Sequence, residues 1–204
     1  MSDIKKGGVV IIDFGSQYTK LIARRIRENL VFSEILSPAS EMNIIMKNSP
    51  AAIILSGGPK SVNDKSSPSI NEALFQTDIP ILGICYGLQL LVKEYGGKIE
   101  SEGNGEYGFA TINIKDKSTL FAGLDSSSKV WMSHGDRALH VPDGWNLLAK
   151  SSNGIIAAIS NKKQNRVATQ FHPEVSHTEN GNLIISNFLF KIAQCQPNWT
   201  PENF

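Results

Sequence analysis

The chain is predicted to be an α/β protein: a doubly wound, mostly parallel sheet flanked by helices, with a small antiparallel extension. Three observations predict it. Apolar runs without polar alternation recur in the first half of the chain, as expected of strands buried on both faces. Amphipathic helical patterns separate those runs, and such a β-α-β-α alternation builds a parallel sheet through crossover helices. From residue 107 onward the pattern changes to short strand-like segments with no long helix between them.

Taken in order, Gly8 to Phe14 is a continuous apolar run that ends at Gly15-Ser16. Tyr18, Leu21, Ile22 and Ile26 then fall at helical spacing, with Lys20, Arg24, Arg25, Arg27 and Glu28 on the other side. Val31 to Leu36 is a second strand, and Glu41 to Asn48 carries a short helical pattern. Ala51 to Ser56 is a third strand, followed by Gly57-Gly58-Pro59-Lys60-Ser61. A short helix is expected over Pro68 to Phe75. Ile79 to Ile84 is the fourth strand, and a helix from Tyr86 to about Tyr95 follows it and ends at Gly96-Gly97. Residues 107–114, 129–134, 146–150, 155–160 and 166–171 read as short strands, with turns at Val141-Pro142-Asp143-Gly144 and Ser152-Asn153-Gly154. They form the antiparallel extension and a return to the main sheet. The last helix, Asn182 to Ala193, carries Leu183, Ile184, Ile185, Phe188, Leu189, Phe190 and Ile192. That is more than one stripe, so the helix should be well buried. Residues 1–193 thus make one domain. Residues 194–204, with two prolines and a tryptophan, read as a linker or as an end that packs on something outside the chain.

In doubly wound sheets ligands bind beyond the carboxyl ends of the strands. The loops Asp13–Gln17, Ser56–Ser61 and Cys85–Gln89 all fall on that edge. At the last of them, Gly83-Ile84-Cys85-Tyr86-Gly87 has the layout of a nucleophile elbow, with sulfur where the hydrolase version has a hydroxyl. The strand-to-helix turn is tight, so its neighbours cannot carry a Cβ. The helix beginning at Cys85 offers its positive end to a thiolate, and the backbone N–H of Tyr86 could hold an oxyanion. A lone cysteine at a strand end is ordinarily a small buried hydrophobe. The two flanking glycines weigh toward the elbow.

Further along, Arg166 to Glu174 reads as a strand running into a loop. Its alternation would set His172 and Glu174 on one side. A histidine can take a thiol proton, and a carboxylate can fix its tautomer. The competing readings are a strand-capping His172 with a solvated Glu174, or a metal site of His172, Glu174 and His177, which lacks the spacing of known zinc motifs. Gly57-Gly58-Pro59 after a strand suggests a backbone N–H aimed at a developing anion, or an ordinary turn. It does not supply the G-x-x-x-x-G-K-[ST] of a phosphate loop. Gly103 to Gly108 lacks the flanking strand and helix of a dinucleotide fingerprint.

Composition narrows the partners. The 204 residues balance 20 basic against 19 acidic side chains, with no basic run longer than two, so nucleic acid is disfavoured. No apolar stretch reaches membrane-spanning length and Met1 to Gly8 has no apolar signal core. The two cysteines, Cys85 and Cys195, form no CxxC and fit a reducing compartment. These features point to a cytoplasmic protein.

The segments Ser56-Gly57-Gly58-Pro59, Gly83-Ile84-Cys85-Tyr86-Gly87-Leu88-Gln89 and Gln170-Phe171-His172-Pro173-Glu174, in this order over nearly the whole chain, resemble those of class I (triad) glutamine amidotransferases. Ile12–Tyr18, Trp131–Asp136 and Glu174–Gly181 resemble one branch, the amidotransferase domain of glutamine-hydrolysing GMP synthases. The resemblance implies that Cys85 attacks the side-chain amide of L-glutamine to form a γ-glutamyl thioester, with His172 as general base and then acid and Glu174 orienting it. It implies an oxyanion hole from the backbone N–H groups of Gly58 and Tyr86. Gln89 and the segment Ser133, His134, Gly135 and Asp136 match positions that hold the substrate. No metal or cofactor is implied for this domain. ATP and magnesium belong to a partner, the GMP synthetase (ATP pyrophosphatase) module, which adenylates XMP and aminates it to GMP in a homodimeric full enzyme. That module carries an S-G-G-V-D-S loop. Here only Ser56-Gly57-Gly58-Pro59-Lys60-Ser61 occurs, so this polypeptide alone is expected neither to bind ATP nor to make GMP. It would be a free-standing subunit or, as the tail with Trp199, Pro201 and Phe204 suggests, the N-terminal piece of a longer protein. The rival readings are an amidotransferase for another acceptor, as in anthranilate, aminodeoxychorismate or carbamoyl phosphate synthesis, and a catalytically silent module that regulates a partner.

Overall fold

The computed structural model describes residues 7–101, 105–197 and 199–200. Its elements in chain order are β1 (Val9–Ile12), α1 (Thr19–Glu28), β2 (Ser33–Leu36), α2 (Met42–Ile45), β3 (Ala52–Leu55), β4 (Ile81–Ile84), α3 (Tyr86–Glu94) and β5 (Ile99–Glu100). They continue through β6 (Glu106–Ile114), β7 (Ser127–His134), β8 (Arg137–Ala138), β9 (Asn146–Ser151), β10 (Ile156–Asn161), β11 (Arg166–Thr169) and α4 (Gly181–Asn187). One nine-stranded sheet runs in the order β2-β1-β3-β4-β11-β10-β9-β6-β7. The pairings from β2 to β11 are parallel, those from β11 to β7 antiparallel, and only β10 and β6 run against the rest. The antiparallel extension is therefore continuous with the main sheet, and a separate two-stranded piece pairs β5 with β8.

The apolar runs form strands because both faces of the sheet are covered. Val9 and Ile11 point into one layer with Ile22, Ile26, Ile184 and Phe188, whereas Val10 and Ile12 point into the other with Ile45, Leu88, Leu91 and Val92. Chain order reverses between β1 and β3, since β1 is followed by β2 on one side and β3 on the other. The loops after β1, β3 and β4 therefore open onto one crevice at the switch point.

The elbow after β4 depends on close approach. A Cβ on Gly83 would lie 2.5 Å from the Gly87 carbonyl oxygen, and one on Gly87 would lie 2.4 Å from that of Leu55. Only glycine lets the first turn of α3 press onto β3 and β4 in this way. The far end of α3 closes as its glycine pair predicts. Gly96 has φ +77°, and the N–H groups of Gly96 and Gly97 donate to the carbonyls of Lys93 and Val92 at 3.1 and 2.7 Å.

Several expected elements are altered by tertiary contacts. The helix expected over Pro68 to Phe75 is a 3₁₀ helix, Glu72–Gln76, started by the Asn71 side chain accepting from the Ala73 N–H at 3.1 Å. The strand expected over 166–171 leaves the sheet at Thr169, whose hydroxyl donates to the Phe171 carbonyl at 3.0 Å and bends the chain. The final helix is α-helical only to Asn187 and widens into a π-helical turn, Phe188–Ile192. It is not buried all round. Ile184, Ile185, Phe188 and Leu189 are buried, while Leu183 and Phe190 stand 37% and 36% exposed. The short strands β5 and β8 carry too little pattern to be seen in the sequence.

The tail begins on the body of the protein. The Cys195 N–H donates to the Leu189 carbonyl at 2.8 Å and the Trp199 N–H to that of Leu30 at 3.0 Å, with the Arg27 guanidinium 5.9 Å from the Trp199 ring centroid. Asn198 and residues 201–204, including Pro201 and Phe204 of the expected linker, lie outside the described residues, as does Gly103. No helix among the described residues is long and apolar enough to cross a membrane.

Because Gly87 touches the Leu55 carbonyl, Gly87→Ala should destabilise the fold by about 2–3 kcal/mol, despite alanine's roughly 1 kcal/mol advantage inside a helix. Urea denaturation measures this, and an unchanged midpoint would refute the close-approach account.

Candidate active site

Cys85 sits between β4 and α3 with φ +53° and ψ −101°, a backbone conformation that non-glycine residues rarely adopt. It is held there because its N–H donates to the Thr169 carbonyl on β11 at 2.8 Å while α3 starts at the next residue. Its sulfur lies 3.6 Å from the Ser133 carbonyl oxygen and 3.7 Å from the Gln170 Nε2. The elements β4, β7 and the end of β11 thus meet at one atom.

His172 and Glu174 come together through the turn after β11, rather than by strand alternation. His172 Nδ1 is 2.8 Å from Glu174 Oε1, and both residues are buried. The loop that carries them is tied to the outer edge of β7. The His172 N–H donates to the Trp131 carbonyl at 3.0 Å, the Trp131 N–H to Thr178 Oγ1 at 3.0 Å, and the Glu179 N–H to the Lys129 carbonyl at 2.9 Å. Thr178 Oγ1 donates in turn to the His172 carbonyl at 2.6 Å. Arg25 on α1 donates to the Glu174 carbonyl at 3.0 Å, and the Tyr18 ring meets the imidazole edge-on at 5.1 Å.

Cys85 and His172 flank Gly57. A Cβ placed there would lie 3.0 Å from His172 Cε1 and 3.7 Å from Cys85 Cβ. With Nδ1 committed to Glu174, Nε2 is left for the sulfur. Burial, the largest influence on the imidazole, acts against its charge. The Glu174 carboxylate and the hydrogen bond and charge of Cys85 outweigh it, and the His172 pKa is pushed up to about 10. A thiol, an imidazole and a carboxylate in series can add sulfur to an electrophilic carbon and return a proton to a leaving group.

Above this row lies a cavity of about 530 Å³. Gly58, Cys85, Gln89, Ser133, His134, Gly135, Asp136 and His172 all line it, as do Lys60 and Tyr107. Glu174 stands behind His172. The Tyr86 ring packs on Phe14 with centroids 4.8 Å apart, so what Tyr86 can offer the cavity is its N–H at the first turn of α3. Gln89 spends its Nε2 on the Asp136 carbonyl at 3.0 Å and fixes the 133–136 segment to α3. His134 points away. Its side chain is 1% exposed, its Nδ1 faces the Asp136 carbonyl at 2.9 Å, and burial lowers its pKa. Whatever His134 contributes to a ligand is its backbone. The described residues hold no group of three side chains placed to share a metal ion, and the His177 ring packs instead on Trp131, with centroids 4.6 Å apart. Gln170, beside the sulfur, and Tyr18, against His172, were not singled out as site residues from the sequence. Both lie inside the motif segments, and that adjacency was the available signal.

The model of the family "Glutamine amidotransferase class-I" matches residues 10–192. Among curated proteins the chain is similar to the glutamine-hydrolysing GMP synthases of Brachyspira hyodysenteriae, 50% identical over 196 residues, and Staphylococcus aureus, 46% identical over 196 residues. Each comparison covers 96% of this chain and 38% of the relative, so the chain spans under two-fifths of their length. Among solved structures, a Thermoplasma acidophilum protein provisionally named as one subunit of a GMP synthase superposes with a TM-score of 0.79 at 27% identity, over 92% of this chain and 94% of that one. A Thermotoga maritima glutamine amidotransferase shares the fold with a TM-score of 0.69 at 20% identity, over 91% and 82%.

The raised pKa of His172 sets a pH dependence. Its stabilisation is complete below its unperturbed value of 6.5 and is lost as pH rises through about 10. Glu174→Gln should therefore cost roughly 3 kcal/mol at the acidic end of that window and progressively less toward its alkaline end. Urea denaturation across the window checks this, and a cost independent of pH would contradict it.

Proposed function

The chain belongs to the glutamine amidotransferase class-I family, and on that premise we propose that it hydrolyses glutamine through Cys85, His172 and Glu174 and supplies the ammonia for amination of XMP to GMP. The observation that carries this reading is the buried row of sulfur, imidazole and carboxylate at the floor of a cavity. The names of the relatives support the GMP branch.

The step begins as Cys85 passes its thiol proton to His172 and its sulfur attacks the side-chain amide carbon of glutamine. As the C–S bond forms, the carbonyl electrons move onto oxygen, where the N–H groups of Gly58 and Tyr86 would receive the charge. His172, held cationic by Glu174, gives its proton to the amide nitrogen. The C–N bond breaks and ammonia leaves a γ-glutamyl thioester. Neutral His172 then takes a proton from water, which attacks the thioester, and glutamate departs as sulfur recovers its electron pair. Lys60 and Asp136 give the cavity wall one charge of each sign, which suits the zwitterionic end of glutamine. ATP and magnesium would act on a synthetase module, either separate from this chain or as the remainder of a longer polypeptide, joined in the latter case through residues 194–204.

Glutamate release from glutamine by this chain, measured alone and with a synthetase loaded with XMP and ATP, tests the reading. Cys85→Ala should lower release by at least a thousandfold, and the loaded synthetase should stimulate the wild type. Cysteine-dependent release that ignores the synthetase would keep the glutaminase and remove the GMP assignment. No release in either condition would favour the silent regulatory module.

A second prediction isolates the orienting carboxylate. Glu174→Ala should lower kcat by roughly 10²–10⁴ while KM changes much less. An equal loss in both would place Glu174 in substrate binding instead.

A further inference from the structure

The hairpin of β6 and β7 carries an uncovered aromatic face. Tyr107 is 73% and Phe109 66% exposed. The hairpin register sets Tyr107 opposite Ser133, Phe109 opposite Trp131 and Thr111 opposite Lys129, so these side chains share one face. Phe109 meets the Trp131 ring edge-on at 5.3 Å and the His177 ring at 5.7 Å. A groove of about 370 Å³ runs beside them, past Tyr107, Phe109 and Thr111 to Ser152 and Asn153. Tyr107 lines both this groove and the Cys85 cavity, so the aromatic face is continuous with the mouth of the site. Contiguous exposed aromatics of this kind mark interaction surfaces.

We propose that this face docks the synthetase portion that lies outside the matched segment. The proposal rests on the glutaminase reading above. Two observations select the occupant. The chain accounts for 38% and 37% of the first relatives, so most of each of their polypeptides must find a seat against a domain like this one. Ammonia released at Cys85 is protonated once it meets bulk water, and ammonium has no lone pair with which to attack an acceptor. A productive partner must therefore sit at the cavity mouth, and the Tyr107–Phe109 face borders it. The mode of contact follows from the sheet. The outer edge of β7 is already paired with residues 172–179, which leaves side-chain packing rather than strand addition.

Phe109→Asp tests this, with Thr111→Arg as a second substitution at the far end of the groove. Neither residue touches the sulfur–imidazole–carboxylate row or lines the Cys85 cavity. In the assembly of this chain with its cognate synthetase, each variant should leave glutamate release by the chain alone within about twofold. GMP formation driven by glutamine should fall at least tenfold, and GMP formation driven by added ammonium salt should hold. Retained glutamine-driven synthesis in both variants would overturn the docking face while sparing the glutaminase. Absence of glutamate release by the wild type would remove both proposals together. A wild-type chain that dimerises in sedimentation velocity, with monomeric variants, would assign the face to a second copy and overturn the proposal.

Discussion

The contact on which the rest of the site depends is that of α3 with the two strands beneath it. Gly87 lies against the Leu55 carbonyl of β3 and Gly83 against Gly87 itself, closer than any side chain would allow. That approach goes with the strained, positive-φ backbone of Cys85, which lifts its sulfur off the carboxyl edge of the sheet. A residue held at such φ and ψ is costly on its own. It persists because the Cys85 N–H is fixed to β11 and the following residues are fixed as helix. The same helix carries Gln89, whose amide holds the 133–136 segment over the sulfur. The elbow therefore sets the Cys85 sulfur and one wall of the cavity at once.

The antiparallel extension supplies the rest. β7 lies four places from β11 in the sheet, yet the Ser133 carbonyl approaches the Cys85 sulfur and the Trp131 carbonyl receives the His172 N–H. The sheet must curl to bring its last strand back to its centre. In doing so it occupies the open edge of β7 with the loop that bears His172 and Glu174, so an edge that could recruit another strand is used internally. Two halves of the chain with different architectures converge on one row of side chains. Burial there is opposed by charge pairing, and His172 stays protonated well above its ordinary range because Glu174 and the sulfur both favour the cation.

Burial also divides labour within the 133–136 segment. His134 is turned inward and closes the loop through the Asp136 carbonyl, while Asp136 keeps a carboxylate oxygen 3.3 Å from the Ser101 hydroxyl at the rim. The side of β6 and β7 that faces away from the core sets Tyr107, Phe109 and Trp131 among the polar Thr111, Lys129 and Ser133. Cys85, His172 and Glu174 are buried at the floor of the site, and the exposed rings of Tyr107 and Phe109 stand beside its mouth. The placement of these side chains follows from which residues alternate inward and outward along one hairpin.

Sequence by itself determined whatever rests on local rules. Unalternating apolar runs marked β1, β3 and β4, two glycines around Cys85 marked the elbow, and the glycine pair at 96 and 97 marked the end of α3. The identity of Cys85, His172 and Glu174 as one constellation was also legible, from motifs in a fixed order. Other features belong to the tertiary structure, because they depend on which distant segments share a layer. Strand alternation gave the wrong reason for the pairing of His172 with Glu174: β11 stops at Thr169, and a turn pinned to β7 brings them together. The last helix read as well buried, and Ile184, Ile185, Phe188 and Leu189 are, but Leu183 and Phe190 face outward because the helix packs on α1 and the sheet from one side only. Gln170 reaches a sulfur 85 positions away, and no periodicity encodes a contact at that separation. Such contacts are decided by the curl of the sheet, which sums small twists over many strands and is written in no single segment.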